Sequence, residues 1–402
     1  MSAESGKPNR AQPADSGGAG RRRRRRLGVT AAAVAAGLVV LGVPVTTLAL
    51  TGTPGAVHPA PSPANSPENP AHFQAGRHSV IKKAAGASAP AATDYHAYVS
   101  LAGGSSVAEL DTATDTIIAD NIPADSTEGV AVTPDGSQVF AAETGQYHVI
   151  AVNTATGVKT AIEVGPYPQD VAVSPDGRQA YATVTGGDTG PGGSAIVAVI
   201  NVSSDSVARD ITVGDGPRRV VFSPDGSRAY VTTDRAIAVI DTATGTVVRS
   251  IPDSSGPQGI TVSPDGRTLY VTHSGPGTVW AINAATGRIT ATIAAGAEPY
   301  SVAVTPDGSK AFVADMNSDT VAVISTATDR VITTLPTGRL PGTVAVTPDG
   351  SQVWVGNVAS GDITVISPAT DTVAGTISGG PGTSALNSEP QGIAFVKAPA
   401  TP

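Results

Sequence analysis

Val171-Ala172-Val173-Ser174-Pro175-Asp176-Gly177-Arg178-Gln179-Ala180-Tyr181 is the stretch on which the fold can be read. An apolar run with narrow side chains ends in a Ser-Pro-Asp-Gly turn, and a second apolar run leaves it. Proline suits the second turn position, and glycine supplies the positive φ that closes the turn. The Ser/Thr-Pro-Asp-Gly core returns at prolines 134, 175, 224, 264, 306 and 348, spaced by 41, 49, 40, 42 and 42 residues. Several short strands in each period of about forty residues mark a β-propeller.

One period shows what is repeated. Arg219–Phe222 is a first strand, Ser223–Gly226 the turn and Ala229–Thr232 a second strand. Ala236–Ile240 alternates small and large residues as a third strand, Asp241–Gly245 turns, and Thr246–Ile251 is a fourth. Related turns stand at Asp111, Asn153, Asn283, Ser325 and Ser367. Six full blades begin near Glu128, Gln169, Arg218, Gln258, Tyr300 and Gly342. Tyr95–Ile122 supplies three more strands without a first one, and Glu389–Val396 reads as a first strand with nothing after it. Joining the two ends makes a seventh blade and removes the open sheet edges of an unclosed array. The expectation is therefore an all-β, seven-bladed propeller of four-stranded antiparallel blades over residues 94–397, with a short tail at 398–402.

The residues ahead of the repeats address the protein rather than build its core. Residues 1–26 are polar, end in six consecutive arginines (Arg21–Arg26), and read as a disordered basic segment facing the cytoplasm. Residues 27–50 contain no charge and are long enough to cross a hydrocarbon layer of about 30 Å. The span reads as a retained signal anchor, with the propeller outside a bacterial plasma membrane. The alternative is export with cleavage, releasing a secreted or periplasmic protein. Thr47-Leu48-Ala49 offers small residues for cleavage, and the arginines resemble a twin-arginine signal. Residues 51–93, rich in Pro and Ala, read as a disordered spacer.

Charge is divided between these parts. The chain carries a formal −8, but residues from 95 onward hold 14 of its 25 basic and 29 of its 33 acidic residues, a net of about −15. Such a field disfavours nucleic acid as a partner. There is no cysteine, which excludes disulfides, thiol chemistry and a cysteine-linked lipid anchor.

Tyr230-Val231-Thr232-Thr233 and Tyr270-Val271-Thr272-His273, each starting six residues past a turn proline, resemble the YVTN-type repeat of seven-bladed propellers. That family occurs in bacterial and archaeal surface-layer-like and periplasmic proteins. The resemblance spans about residues 95–397 and implies the fold. It also implies an extracytoplasmic binding or scaffold role, with a DNA-binding protein among the members and lactonase-like, haem and quinone enzymes among similar propellers. No catalytic motif of those enzymes is matched, so no catalytic residue, metal ligand or cofactor is expected.

In a propeller the connections into the first strand and between the second and third share one face, around the central channel. Repeat alignment places Glu128, Gln169, Arg218, Gln258, Tyr300 and Gly342 there, six positions before the turn prolines, with Gln391 in the closing blade. Nine positions after the prolines come Glu143, Val184, Thr233, His273, Asp315 and Asn357. These positions vary while the turns barely do, so Glu128, Glu143, Gln169, Arg218, Arg219, Gln258, His273, Tyr300, Asp315, Asn357 and Gln391 are the candidate ligand-binding residues. The adjacent cations Arg218 and Arg219 could clamp an anion, or pair with acids such as Asp170 and Asp215. Asp315–Asp319 begins like a calcium loop but has Thr320 and Thr326 where such a loop needs Gly and Glu. The long spacing places extra residues at Thr185–Ser194, a rim loop on this same face, and Ser378–Glu389 is a second.

Three functions compete. A tethered, monomeric binding or scaffold module, taking a macromolecule or small ligand of the cell envelope, stands first. A lactonase-like hydrolase would need converging carboxylates such as Glu128, Glu143 and Asp315 with His273. Single-stranded DNA binding would need a basic stripe with interleaved aromatics.

Overall fold

The computed structural model describes residues 95–103, 106–124, 126–186, 195–379 and 389–398. They form seven four-stranded sheets, each antiparallel throughout. Six follow the chain from inner to outer strand. Blade 1 (127–163) starts with Thr127–Val132, blade 2 (168–212) with Pro168–Val173 and blade 3 (220–252) with Val220–Phe222. Blades 4 (257–294), 5 (299–336) and 6 (341–378) start with Pro257–Val262, Pro299–Val304 and Pro341–Val346. The seventh sheet is composite: Pro390–Lys397 pairs antiparallel with Tyr95–Leu101, followed by Ser106–Asp111 and Thr116–Pro123. The predicted anchor at 27–50 and linker at 51–93 lie outside the described residues. No helix among the described residues is long and apolar enough to cross a membrane.

The core sits between blades rather than within them. Alternation along each strand gives a sheet two apolar faces, so each blade must be covered on both sides. Tyr181, Val197 and Val199 of blade 2, for instance, pack with Val220, Ala229, Val231, Ala238 and Ile240 of blade 3. Trp354, Ile363 and Val365 of blade 6 pack in the same way with Ala97, Val99 and Leu101 of the composite blade. Outer strands face solvent. Thr246–Pro252 buries only Ile251.

Repeated polar contacts set the spacing at both ends of the inner strands. In the Pro-Asp-Gly turns the aspartate folds back on its own loop. Asp225 Oδ1 accepts from Ser223 Oγ at 2.5 Å and from the Ser227 amide at 3.0 Å. The turn glycine has φ +69° at Gly226, and a Cβ there would lie 3.5 Å from Pro175 of the preceding blade. Gly177, Gly266, Gly308 and Gly350 meet the preceding prolines in the same way, and Gly136 meets Val396 of the composite blade, which has no such proline.

At the other end a second-strand hydroxyl joins two blades. Thr232 Oγ1 accepts from the Arg219 amide of its own blade at 3.1 Å and donates to the Gln258 carbonyl of the next at 2.9 Å. Thr183 links Asp170 to Arg218, and Thr272 links Gly259 to Tyr300. Ser100 Oγ donates to the Glu128 carbonyl at 2.5 Å.

Candidate functional site at the channel mouth

These hydroxyl bridges pin the carbonyls of Glu128, Arg218, Gln258 and Tyr300, so they fix where the side chains at those positions begin. Glu128, Gln169, Arg218, Arg219, Gln258 and Tyr300, contributed by the inner ends of blades 1–5, line one small cavity. It leaves only about 20 Å³ for the centre of a water-sized molecule, enough for about one water. The mouth is thus filled by its own side chains, and a larger ligand must rest on it. Gly342 completes this level in blade 6. A Cβ built on it would lie 3.9 Å from Gln391 Oε1 of the composite blade.

Charge in the mouth is paired across blades. Arg219 Nη1 donates to Asp170 Oδ1 at 3.3 Å, and Asp170 Oδ2 accepts from the Val220 amide at 2.9 Å. Burial pushes the Asp170 carboxyl up, against the pull of the Arg219 guanidinium and the Val220 amide. Burial also pushes the Glu128 carboxyl up, opposed by Arg219 and Arg218 and reinforced by Asp170. Desolvation works against the Arg219 cation, but Asp170 outweighs it with help from Tyr300 and Glu128, and the guanidinium stays charged. Arg218 reaches outward instead, donating to Asp234 Oδ1 at 3.3 Å with both side chains nearly half exposed. Asp234, not Asp215, is therefore its partner. Asp215 contributes a backbone carbonyl, accepting from the Asp234 amide at 2.9 Å.

The second set of candidate positions does not line this cavity. Glu143, His273, Asp315 and Asn357 end their second strands buried beneath the face loops. Asp315 accepts from the Ala297 and Glu298 amides, at 2.9 and 2.6 Å. Asn357 Nδ2 donates to Asp362 Oδ1 and Thr364 Oγ1, at 2.8 and 2.9 Å. Val184 and Thr233 are buried as well, and Thr233 Oγ1 donates to the Ala236 carbonyl at 3.0 Å. His273 Nε2 lies 2.6 Å from Asp253 Oδ2, with both side chains fully buried and the imidazole against Trp280. That dyad has the partner a general base needs but no access to a substrate. Short polar side chains at strand ends are drawn into capping their own loops, which repeat alignment does not register. In the calcium-like stretch, Asp319 Oδ1 accepts from the Leu340 amide at 2.8 Å, so it too braces a loop. Among the described residues no three His, Asp or Glu side chains are grouped as metal ligands. Most of Thr185–Ser194, the residues from 187 on, lies outside the described residues, as do residues 380–388 of the second rim loop.

The bridging hydroxyls Ser100, Thr183, Thr232 and Thr272 escaped the functional reading of the sequence. Their in-phase recurrence is visible there. A larger hollow of about 620 Å³ opens on the opposite face between blades 3 and 4. Its polar walls are bonded internally, with Arg228 on Asp241 at 2.6 Å and Arg249 on the Ala285 carbonyl at 2.6 Å.

Comparison with known proteins agrees with this architecture. The family model described as lactonase, 7-bladed beta-propeller, matches residues 200–330. This chain is a seven-bladed β-propeller. Among solved structures it is similar to a chain of Kuenenia stuttgartiensis hydrazine synthase, at 26% identity and a TM-score of 0.62. That match covers 68% of this chain and 92% of the other. No curated protein matches.

Proposed function

We propose that this propeller is a binding module of the cell envelope without chemistry of its own, held outside the plasma membrane by residues 27–50. The observation that carries the reading is the inner ring itself. Turn and bridge positions repeat from blade to blade, whereas the ring reads Glu128, Gln169, Arg218, Gln258, Tyr300, Gly342 and Gln391. Such an asymmetric set of donors and acceptors suits recognition of one polar partner resting on the face. The resemblance of Tyr230–Thr233 and Tyr270–His273 to YVTN-type repeats supports the same placement at a bacterial surface. Pairing of Pro390–Lys397 with Tyr95–Leu101 supports a ring closed through the two chain ends.

Thermal melting of the full chain against fractionated envelope extract tests this. A ligand at about a hundred times its dissociation constant adds roughly 2.7 kcal/mol of stability. Arg218→Ala and Gln258→Ala are expected to remove the shift while leaving the unliganded midpoint within about 1 °C, because the Arg218–Asp234 pair is exposed and worth little. A shift unchanged in both variants would move the site away from the mouth.

The partial family match favours a second reading, a lactonase-like hydrolase. It requires a substrate to enter the central pocket, whose lining leaves room for about one water. Turnover of a lactone panel, abolished by Glu128→Gln, would establish it over binding alone.

A further inference from the structure

We propose that Tyr147 and Tyr167 form a platform on the mouth face that binds a neutral sugar ring of a glycan. The inference goes beyond the inner ring and does not depend on it. Both tyrosines stand with left-handed backbone, at φ +64° and +56°. A bulky side chain is a genuine outlier there. The repeats supply their own controls. Thirteen positions after the turn proline, where blade 1 has Tyr147, blades 4, 5 and 6 have Gly277, Asp319 and Gly361, all with positive φ. Eight positions before it, where Tyr167 stands, blades 1, 3, 4 and 6 have Ser126, Gly216, Gly256 and the half-buried Leu340, again all positive, while Glu298 of blade 5 does not share that conformation.

The backbone does not need tyrosine at either place. The Tyr147 carbonyl accepts from the Val164 amide at 3.0 Å, just as Gly277 accepts from Ala295 and Asp319 from Thr337, each at 3.0 Å. The Tyr167 carbonyl accepts from the Thr185 amide and hydroxyl, at 3.3 and 3.2 Å. Nor does burial justify aromatic residues there, since Tyr147 and Tyr167 remain 48% and 46% exposed. They meet edge to face, with centroids 6.1 Å apart and planes at 74°. Backbone strain carried by two neighbouring exposed aromatics, where glycine, aspartate, serine or a half-buried leucine serves elsewhere, points to a use for the rings.

The chemistry narrows the ligand. Planes at 74° offer a corner with one open aromatic face, rather than the parallel walls of a slot for proline rings. A hexopyranose presents an apolar C–H face for such a ring. The acidic field of the domain disfavours polyanions, nucleic acid included, so the sugar is neutral.

The test titrates the full chain with cellohexaose, the hexamer of N-acetylglucosamine, an oligogalacturonate and a decaproline peptide, in parallel with melting curves. A neutral hexasaccharide is expected to bind. Tyr147→Gly and Tyr167→Gly are each expected to weaken that binding at least tenfold while raising the melting midpoint by roughly 1–3 °C, since strain is relieved. Sugar binding is read by titration with defined oligosaccharides and the mouth reading by the melting shift with envelope extract, so failure of one can be told apart from failure of the other. The proposal is overturned if neither neutral oligosaccharide binds. It is equally overturned if decaproline or the galacturonate alone binds, or if both glycine variants bind the sugar as the parent does.

Discussion

Asp170 and Arg219 show how much one pair can decide. Their attraction is made in partly desolvated surroundings, so removing one partner strands a charge. Arg219→Met is expected to destabilise the fold by about 3–5 kcal/mol, and adding Asp170→Leu to recover much of the loss, as read from denaturant midpoints. The turn aspartates behave differently. Hydroxyl bonds from Thr133, Ser174, Ser223, Ser263 and Thr305, followed by backbone amides, hold Asp135, Asp176, Asp225, Asp265 and Asp307 below the usual carboxylate range. A carboxyl depressed in the folded state stabilises above its unfolded value, about 3.9, and loses that contribution as pH falls through its folded value. The melting midpoint should therefore drop steadily below about pH 4, with a shallower slope in Asp225→Asn. Glu128 runs the other way. Its raised carboxyl favours the fold below the unfolded value, and this is lost as pH rises through the folded value, so Glu128→Gln should gain stability at neutral pH and little at pH 3.

At the level of elements, inner strands hold their neighbours at both ends. The hydroxyls of Thr183, Thr232 and Thr272 each serve an amide of one blade and a carbonyl of the next. Thr232→Val should cost about 1–3 kcal/mol by leaving two backbone groups unpaired, and Thr232→Ser should restore most of it. Where adjacent inner strands nearly touch, a side chain cannot be fitted. A Cβ at Gly129 would lie 2.5 Å from Asp170 Oδ1, 2.6 Å from Asp170 Cα and 2.8 Å from the Val171 amide nitrogen. Backbone offers no room to yield, so Gly129→Ala is expected to lower the chemical-denaturation midpoint by an amount typical of overpacking, about 1–3 kcal/mol.

For the whole molecule, the composite blade matters most. Its inner strand comes from the far end of the chain, and apolar residues on both of its neighbours, Trp354 in blade 6 and Val130 in blade 1, pack against it. Deleting residues 389–402 would uncover the backbone edge of Tyr95–Leu101 and one wall of both clusters. Exposed edges of this kind recruit other chains. The truncated protein should elute as soluble aggregate or oligomer in size-exclusion chromatography and lose its single cooperative melt. A monomer with an unchanged midpoint would show that the strand is dispensable.

Strand order, turn positions and the number of sheets could be read from the sequence because a propeller is built of local hairpins. Each hairpin signals itself through Pro-Asp-Gly or Asp-Thr-Ala-Thr within a few residues, and periodicity carries one reading to the others. The same periodicity aligned Glu128, Gln169, Arg218, Gln258 and Tyr300, since equivalent positions at a rotational axis must converge. It placed Glu143, His273, Asp315 and Asn357 on that face as well, but whether they reach solvent depends on loop closure, and the tertiary fold turned them inward to caps and buried partners. Only three-dimensional packing decided that Arg219 meets Asp170 forty-nine residues away, that Arg218 meets Asp234, and that Tyr147 and Tyr167 touch with strained backbones. Those contacts join different blades or loops, and a local sequence signal has no means of recording the angle at which neighbouring blades meet.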